Sequence, residues 1–384
     1  MFVSAGEASG DLQGALLLRE IQRLRAGTSC RAIGAERLRA AGAEIAVDSG
    51  EWASIGPVSS ALKVPRLWLT MRRTDAALRA TPPRLVIPVD FGAFNLPLLR
   101  RMRRCGYRGA ALYYFPPGVW LDNARQARLV AAAAMPLTPF ERQRDFYHSL
   151  GLPCAYFGHP LVSTIAPREA LPAGWPVEFG IRAGSGPRVA VFPGSRREEV
   201  LRMIGLLARA ASMLAASRDA SFVIAASSQA NARRIEALWG AAGGPAPPVV
   251  ARGDAIARAA QAAHLAWVAS GTAVLETALR AVPQIAFYAI DPLQYRIAQR
   301  KVPQFVRGPL TLPNLLLGRA VVPELLQGQL TPENLCALTS ELLDDPARRD
   351  EQLRGYAALR SKLGPPDALT RIARFVVECL DDAA

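Results

Sequence analysis

Three short loops carry the residue types that chemistry needs. Ala5-Gly6-Glu7-Ala8-Ser9-Gly10-Asp11 follows a short apolar run and precedes a helix-period segment. Gly6 and Gly10 let a backbone approach a ligand closely, and Ser9 or Asp11 suits a helix cap. The three-glycine dinucleotide spacing is absent, and two carboxylates would repel a phosphate. The loop therefore suits hydroxyl binding or proton transfer, or else is only a capped helix start. Phe192-Pro193-Gly194-Ser195-Arg196-Arg197-Glu198-Glu199 also links an apolar run to a helical segment. Amides at a helix start attract anions, and an arginine fork grips phosphate; Ser195 with Glu198 also fits a capping box, which alone would account for the pattern. In Ala269-Ser270-Gly271-Thr272-Ala273-Val274-Leu275-Glu276, the Ser270-Gly271-Thr272 turn offers donors to a phosphate. Glu276 lies one turn beyond Thr272, where it could accept a ribose diol or be a plain surface charge. Together the second and third loops describe a nucleotide-diphosphate site with neither a Walker lysine nor a metal-ligand cluster.

The elements that must hold these loops read as alternating strands and helices. Strands are expected at Phe2–Ala5, Leu85–Val89, Ala110–Phe115, Val189–Phe192, Phe222–Ala225, His264–Ala269 and Gln284–Tyr288, nearly all followed by helical segments. That is the pattern of parallel sheets covered on both faces. Ser163–Pro187 breaks the rhythm with Pro and Gly and reads as a linker. The expected fold is α/β: two Rossmann-like domains, 1–165 and 185–384, facing each other across a cleft, with ligands at the carboxyl ends of the strands. Gly158-His159-Pro160 falls at the expected cleft mouth, where a lone His159 is more often structural than catalytic. The stretch 312–327, taken alone, reads as a loop.

Composition narrows the partners. The formal net charge is +14, and all but three of the 46 Lys and Arg residues are arginine, the exceptions being Lys63, Lys301 and Lys362. This disfavours cationic ligands and favours phosphates or acidic lipid surfaces. Nucleic acid is not expected, because no aromatic-basic RNA motif or helix-turn-helix pattern accompanies the charge. Cys30, Cys105, Cys154, Cys336 and Cys379 have no paired spacing, which favours a reduced, cytosolic compartment over a disulfide framework or a zinc site. Glu7 and Asp11 interrupt what a secretory signal would need to keep apolar. No run of about 18 uncharged apolar residues suggests a spanning helix.

AGEASGDLQGA at 5–15, FGHPL at 157–161, FPGSRREE at 192–199, SGTAVLET at 270–277 and LPNLLLGRAVVPELLQ at 312–327 resemble the lipid-A-disaccharide synthase family, in order along nearly the whole chain. The resemblance implies an inverting glycosyltransferase of the two-domain GT-B type. It would join UDP-2,3-diacylglucosamine to 2,3-diacylglucosamine 1-phosphate through a β-1,6 link, without metal or cofactor, peripherally at the inner face of the cytoplasmic membrane. It implies a UDP-sugar (donor) site from Ser195, Arg196, Ser270, Gly271, Thr272, Glu276, Asn314, Arg319 and Glu324. Glu7, Ser9, Asp11, Asn95 and His159 would fall on the side of the acylated sugar phosphate acceptor.

The resemblance has gaps. Where the family reads Asp-x-Pro-Asp-Phe-Asn, this chain reads Asp90-Phe91-Gly92-Ala93-Phe94-Asn95, with alanine in place of the second acid. The base candidates are then Asp90 first, with Asp11 and Glu7 behind it. The family's Ser-Pro-x-Val-Trp-Ala-Trp-Arg has become Pro116-Pro117-Gly118-Val119-Trp120-Leu121-Asp122-Asn123. The alternative is a diverged paralogue that binds a UDP-sugar but uses another acceptor or is inactive. For contact with an anionic membrane surface, Val64, Leu67, Trp68, Met71 and Leu78 form one helical stripe beside Arg66, Arg72 and Arg73. Arg100, Arg101, Arg103 and Arg104 form a second basic cluster, of a kind that is usually a solvated face. The apolar-periodic helix over 368–380 needs a partner surface, either its own first domain or a second copy in a homodimer.

Overall fold

The computed structural model describes residues 1–49, 52, 60–118, 122–181, 186–246, 248–291, 295–296 and 309–382, and of 60–67 the backbone alone. The chain forms two compact units, Met1–Thr164 with Leu363–Ala384, and Ile165–Lys362.

The first unit is built on a parallel sheet of β1 (Phe2–Ala5), β2 (Arg31–Gly34), β3 (Glu44–Asp48), β4 (Leu85–Val89), β5 (Ala110–Tyr114), β6 (Met135–Thr138) and β7 (Ala155–Tyr156), in the order β3-β2-β1-β4-β5-β6-β7. The strands run outward from β1 to β3, and β4 then returns to the other side of β1. Both β1 and β4 are buried along their whole length, as central parallel strands covered on both faces must be. Leu17, Leu18 and Ile21 of helix Ala8–Leu24 share a core with Ile372, Ala373, Val376 and Leu380 of helix Ala368–Asp382. The C-terminal helix thus packs on the first unit.

The second unit repeats the plan with β8 (Arg188–Phe192), β9 (Ser221–Ala225), β10 (Val250–Ala251), β11 (Leu265–Ala269), β12 (Gln284–Tyr288) and β13 (Glu324–Leu326), ordered β10-β9-β8-β11-β12-β13. Helix Arg197–Arg218 satisfies the length and composition of a membrane span, although Arg209 interrupts its apolar run. Its Val200, Met203, Ile204, Leu207, Ala211 and Leu214 lie in the core of this unit, so it is a core helix.

The seven expected strands are present, with ends shifted by at most one residue. Those not expected are short, half-exposed (β3) or interrupted by Pro136 (β6). Two boundaries move. The second unit starts at Ile165 rather than 185, because the stretch read as a linker is fastened to it. Trp175 is buried and donates from Nε1 to Ser221 Oγ at 2.8 Å, while Arg188 Nη1 donates to the Ala173 carbonyl at 3.1 Å. The second unit also ends at Lys362, and the residues beyond it return to the first.

Candidate functional site

In each unit the strand order reverses once, between β1 and β4 and between β8 and β11. Loops leaving neighbouring strands at such a point open side by side and form the usual ligand crevice of parallel α/β sheets. In the second unit Phe192 lies beside Val268, which brings the second and third loops together. The anticipated Ser195–Glu198 capping box is shifted by one residue. Arg196 is the N-cap, and Glu199 Oε2 reaches back to accept from the N–H groups of Ser195 (3.0 Å) and Arg196 (3.1 Å). Gly194 makes this turn, with φ 112°, and a Cβ there would stand 2.5 Å from Glu199 Oε2. The Arg196 side chain is 41% exposed, with Nη1 3.7 Å from Glu199 Oε1. Tyr288, at the end of β12, belongs to the same neighbourhood: its phenol pKa is raised, first by burial and then by the Glu199 charge. Across the crevice, Ser270 N–H donates to the Phe287 carbonyl at 2.8 Å. Gly271 is the N-cap of helix Thr272–Leu279 and contributes no side-chain cap. Glu276, on the next turn, receives Arg280 Nη1 at 3.5 Å.

The stretch 312–327 is not a loop: it holds helix Leu312–Leu317 and strand β13. It places two of the expected donor residues in an internal hydrogen-bond network. Glu324 Oε2 accepts from Leu310 N–H at 2.9 Å; its Oε1 accepts from Thr311 N–H (3.0 Å), Thr311 Oγ1 (2.8 Å) and Asn314 Nδ2 (2.7 Å). Asn314 Oδ1 accepts from the N–H groups of Val321 and Val322, at 2.7 and 2.8 Å, and its Nδ2 also reaches the Val322 carbonyl. Buried to 1% exposure, Asn314 is a staple between helix and strand, and Glu324 holds the helix start. Arg319 stays exposed, 3.8 Å from Glu351.

At the first unit's reversal Ala5 lies beside Val89. Glu7 is the N-cap of helix Ala8–Leu24 by its backbone only, and Ser9 lies inside the helix, so neither Ser9 nor Asp11 caps it. Asp11, 3% exposed, caps the following helix Glu36–Ala40 instead. Its oxygens accept from the N–H groups of Ala35 (2.7 Å), Arg37 (3.0 Å) and Leu38 (3.3 Å). With both oxygens engaged by backbone amides, Asp11 ties the start of helix Glu36–Ala40 to helix Ala8–Leu24. Asp90 is exposed just past β4, and Ala93 is exposed in the first turn of helix Gly92–Arg104. Asn95 is fully buried and donates to the carbonyls of Ser4, Val89 and Asp90, so it is scaffold and cannot meet an acceptor. His159 is also buried, between the rings of Phe115 and Phe140. Burial pulls its pKa down to about 3, and its Nδ1 accepts from Leu161 N–H at 3.2 Å.

The family model described as lipid-A-disaccharide synthetase matches residues 1–365. The lipid-A-disaccharide synthase of Geobacter sulfurreducens is 33% identical over 392 residues, covering 99% of this chain and 97% of its own. This chain belongs to the lipid-A-disaccharide synthase family. Another member, from Prochlorococcus marinus, is 32% identical and covers 98% of both chains. Among solved structures, the S. aureus MnaA–UDP co-structure superposes with TM-score 0.67 at 11% identity, covering 99% of this chain and 96% of that one. Acinetobacter baumannii MurG does so with TM-score 0.52 at 14% identity, covering 98% and 99%. These distant likenesses agree on the fold, that of GT-B glycosyltransferases and UDP-N-acetylglucosamine 2-epimerases.

Within this synthase-family chain the altered segment has local tasks. Val119, Trp120 and Leu121 lie outside the described residues. Asp122 pairs with Arg142 at 2.6 Å, and Asn123 caps helix Ala124–Ala131 through Gln126 N–H at 3.1 Å. The amphipathic stripe divides. The side chains of Val64, Arg66 and Leu67 lie outside the described residues; Trp68 and Leu69 are exposed, and Arg72 lies over the Trp68 ring at 4.6 Å. Leu78, however, is buried in the first unit's core, because this end of helix Ser60–Ala80 is drawn onto helix Gly92–Arg104 by Arg101 Nε bonding to buried Asp75 at 2.7 Å. The second basic cluster is therefore not wholly a solvated face: Arg101 holds Asp75, and Arg103 Nη1 donates to the Gly109 carbonyl at 2.9 Å. Among the described residues no three His, Cys, Asp or Glu side chains gather closely enough to hold a metal ion. Sequence reasoning missed Glu199, Ser4 and Tyr113: the first by one position, the others because strand runs hid their hydroxyls.

Proposed function

We propose that this chain transfers a 2,3-diacylglucosaminyl group from its UDP derivative to 2,3-diacylglucosamine 1-phosphate, forming the β-1,6 disaccharide and releasing UDP. The observation that carries the proposal is membership of the synthase family across nearly the whole chain. The donor diphosphate would lie at the second unit's reversal, where Arg196 and the helix starts at Arg197 and Thr272 offset the charge growing on departing UDP. Ser195, Ser270 and Gly271 would let the backbone approach it, and Glu276 would take the ribose diol. The acceptor would bind in the first unit near Glu7. Its 6-hydroxyl oxygen attacks C1 from the face opposite UDP; the C1–O bond breaks, UDP leaves with the electron pair, and Asp90 takes the hydroxyl proton. Exposed Trp68 and Leu69 beside Arg72 and Arg73 support contact with an anionic membrane surface; flotation with anionic vesicles at low salt tests it, and no binding would end that part.

The test is transfer of labelled acceptor 1-phosphate into a disaccharide by the full chain. The second reading, a diverged paralogue, is favoured by Ala93 at the expected acid. Disaccharide formation excludes it. UDP binding without product establishes it, and loss of both overturns the donor assignment.

A further inference from the structure

Asp90 and Phe91 are consecutive non-glycine residues in the left-handed region, with φ of 47° and 44°. Such a residue crowds its Cβ against its own backbone, and two in succession persist only where the surroundings over-determine them. Buried polar side chains do so here. Asn95 Nδ2 donates to the carbonyls of Ser4 (3.1 Å), Val89 (3.2 Å) and Asp90 (2.9 Å). Ser4 Oγ donates to Asn95 Oδ1 at 2.6 Å and so fixes which way that amide faces. From β5, the Tyr113 hydroxyl donates to the same Asp90 carbonyl at 2.9 Å. The Asp90 N–H donates to the Tyr114 carbonyl at 3.0 Å. The Phe91 ring fills the space that a side chain at Gly6 would need, 2.2 Å from a Cβ there.

We infer that Tyr113 and Ser4, the latter through Asn95, are positioning residues that aim the Asp90 carboxylate at the acceptor hydroxyl. This inference rests on Asp90 being the base. The Asp90 backbone is gripped at both N–H and C=O, and a small loss of aim at a reacting group costs rate. Tyr113 remains a donor because burial, and then the Asp90 charge, raise its pKa well above the usual phenol value. Neither hydroxyl takes part in the transfer, and the proton passes from acceptor oxygen to Asp90.

Tyr113→Phe and Ser4→Ala each remove one hydroxyl and can be assayed in the full chain with donor and acceptor. Tyr113→Phe lowers kcat about tenfold, with KM for the donor and affinity for UDP unchanged. In an Asp90→Asn background, the same change leaves kcat where Asp90→Asn alone puts it. If Asp90→Asn is slow while Tyr113→Phe turns over normally, or the two losses simply multiply, positioning is overturned and the base assignment stands. If Asp90→Asn itself is normal, the base assignment fails and this inference with it. Should Tyr113→Phe not fold, Ser4→Ala takes its place, with the same split expected and the same results counting against it.

Discussion

The two reversal points use one topology to opposite ends. In the second unit the turn after β8 is made by Gly194, and a carboxylate from the helix beyond, Glu199, folds back onto the Ser195 and Arg196 amides. A glycine turn of this kind brings backbone close to a ligand, which suits a diphosphate. In the first unit the turn after β4 has no glycine at its two left-handed positions; Asp90 and Phe91 occupy them, gripped from below by Asn95 and Tyr113. On the proposed mechanism, that strain aims one side chain. On the proposed reaction, one crevice takes a charged group and the other a single proton.

Substitutions at the two places should therefore separate cleanly. Asp90→Asn is expected to lower kcat at least about a hundredfold while calorimetry finds UDP affinity unchanged; a fall in both would erase the division of labour. Arg196→Ala is expected to weaken UDP binding about tenfold, or ~1.4 kcal/mol, with thermal stability kept. Glu324→Gln reports scaffold rather than contact. Replacing charged hydrogen bonds with neutral ones is expected to cost about 1 kcal/mol of stability, read in urea unfolding, while UDP affinity per folded molecule holds. The smallest effect at neutral pH concerns His159. Its folded pKa of about 3 lies below the usual 6.5, so the unfolded chain binds the extra proton and stability falls as pH drops from about 6.5 towards 3. His159→Gln should lessen that fall without removing it, since His264, drawn down to about 4 mainly by burial, follows the same sign.

What could be read from residues alone followed the physics of each signal. Central strands such as Leu85–Val89 and Gln284–Tyr288 announce themselves because burial on both faces demands an unbroken apolar run. The edge strand Glu44–Asp48 and the three-residue β13 carry no such demand and leave no such run in the sequence. At the site, residue types were informative and partners were not. Asp11 looked like chemistry because an acid after a glycine turn does, yet its partners Ala35, Arg37 and Leu38 lie more than twenty residues away. Asn314 and Glu324 carry a donor role only through the family resemblance, and the residues alone do not show that the chain's return brings them into contact with each other. Glu199 rather than Glu198 is the reaching acid because Arg196, not Ser195, is the N-cap.

The order in which the chain is written has a consequence for its birth. Residues 165–362 are spelled out in the midst of the first unit, and Leu363–Ala384 complete that unit only afterwards. A nascent chain leaving the ribosome can close the inserted half while Leu17, Leu18 and Ile21 still wait for Ile372, Val376 and Leu380 to cover them. Of the two units, the one whose synthesis starts earlier is the last to be finished.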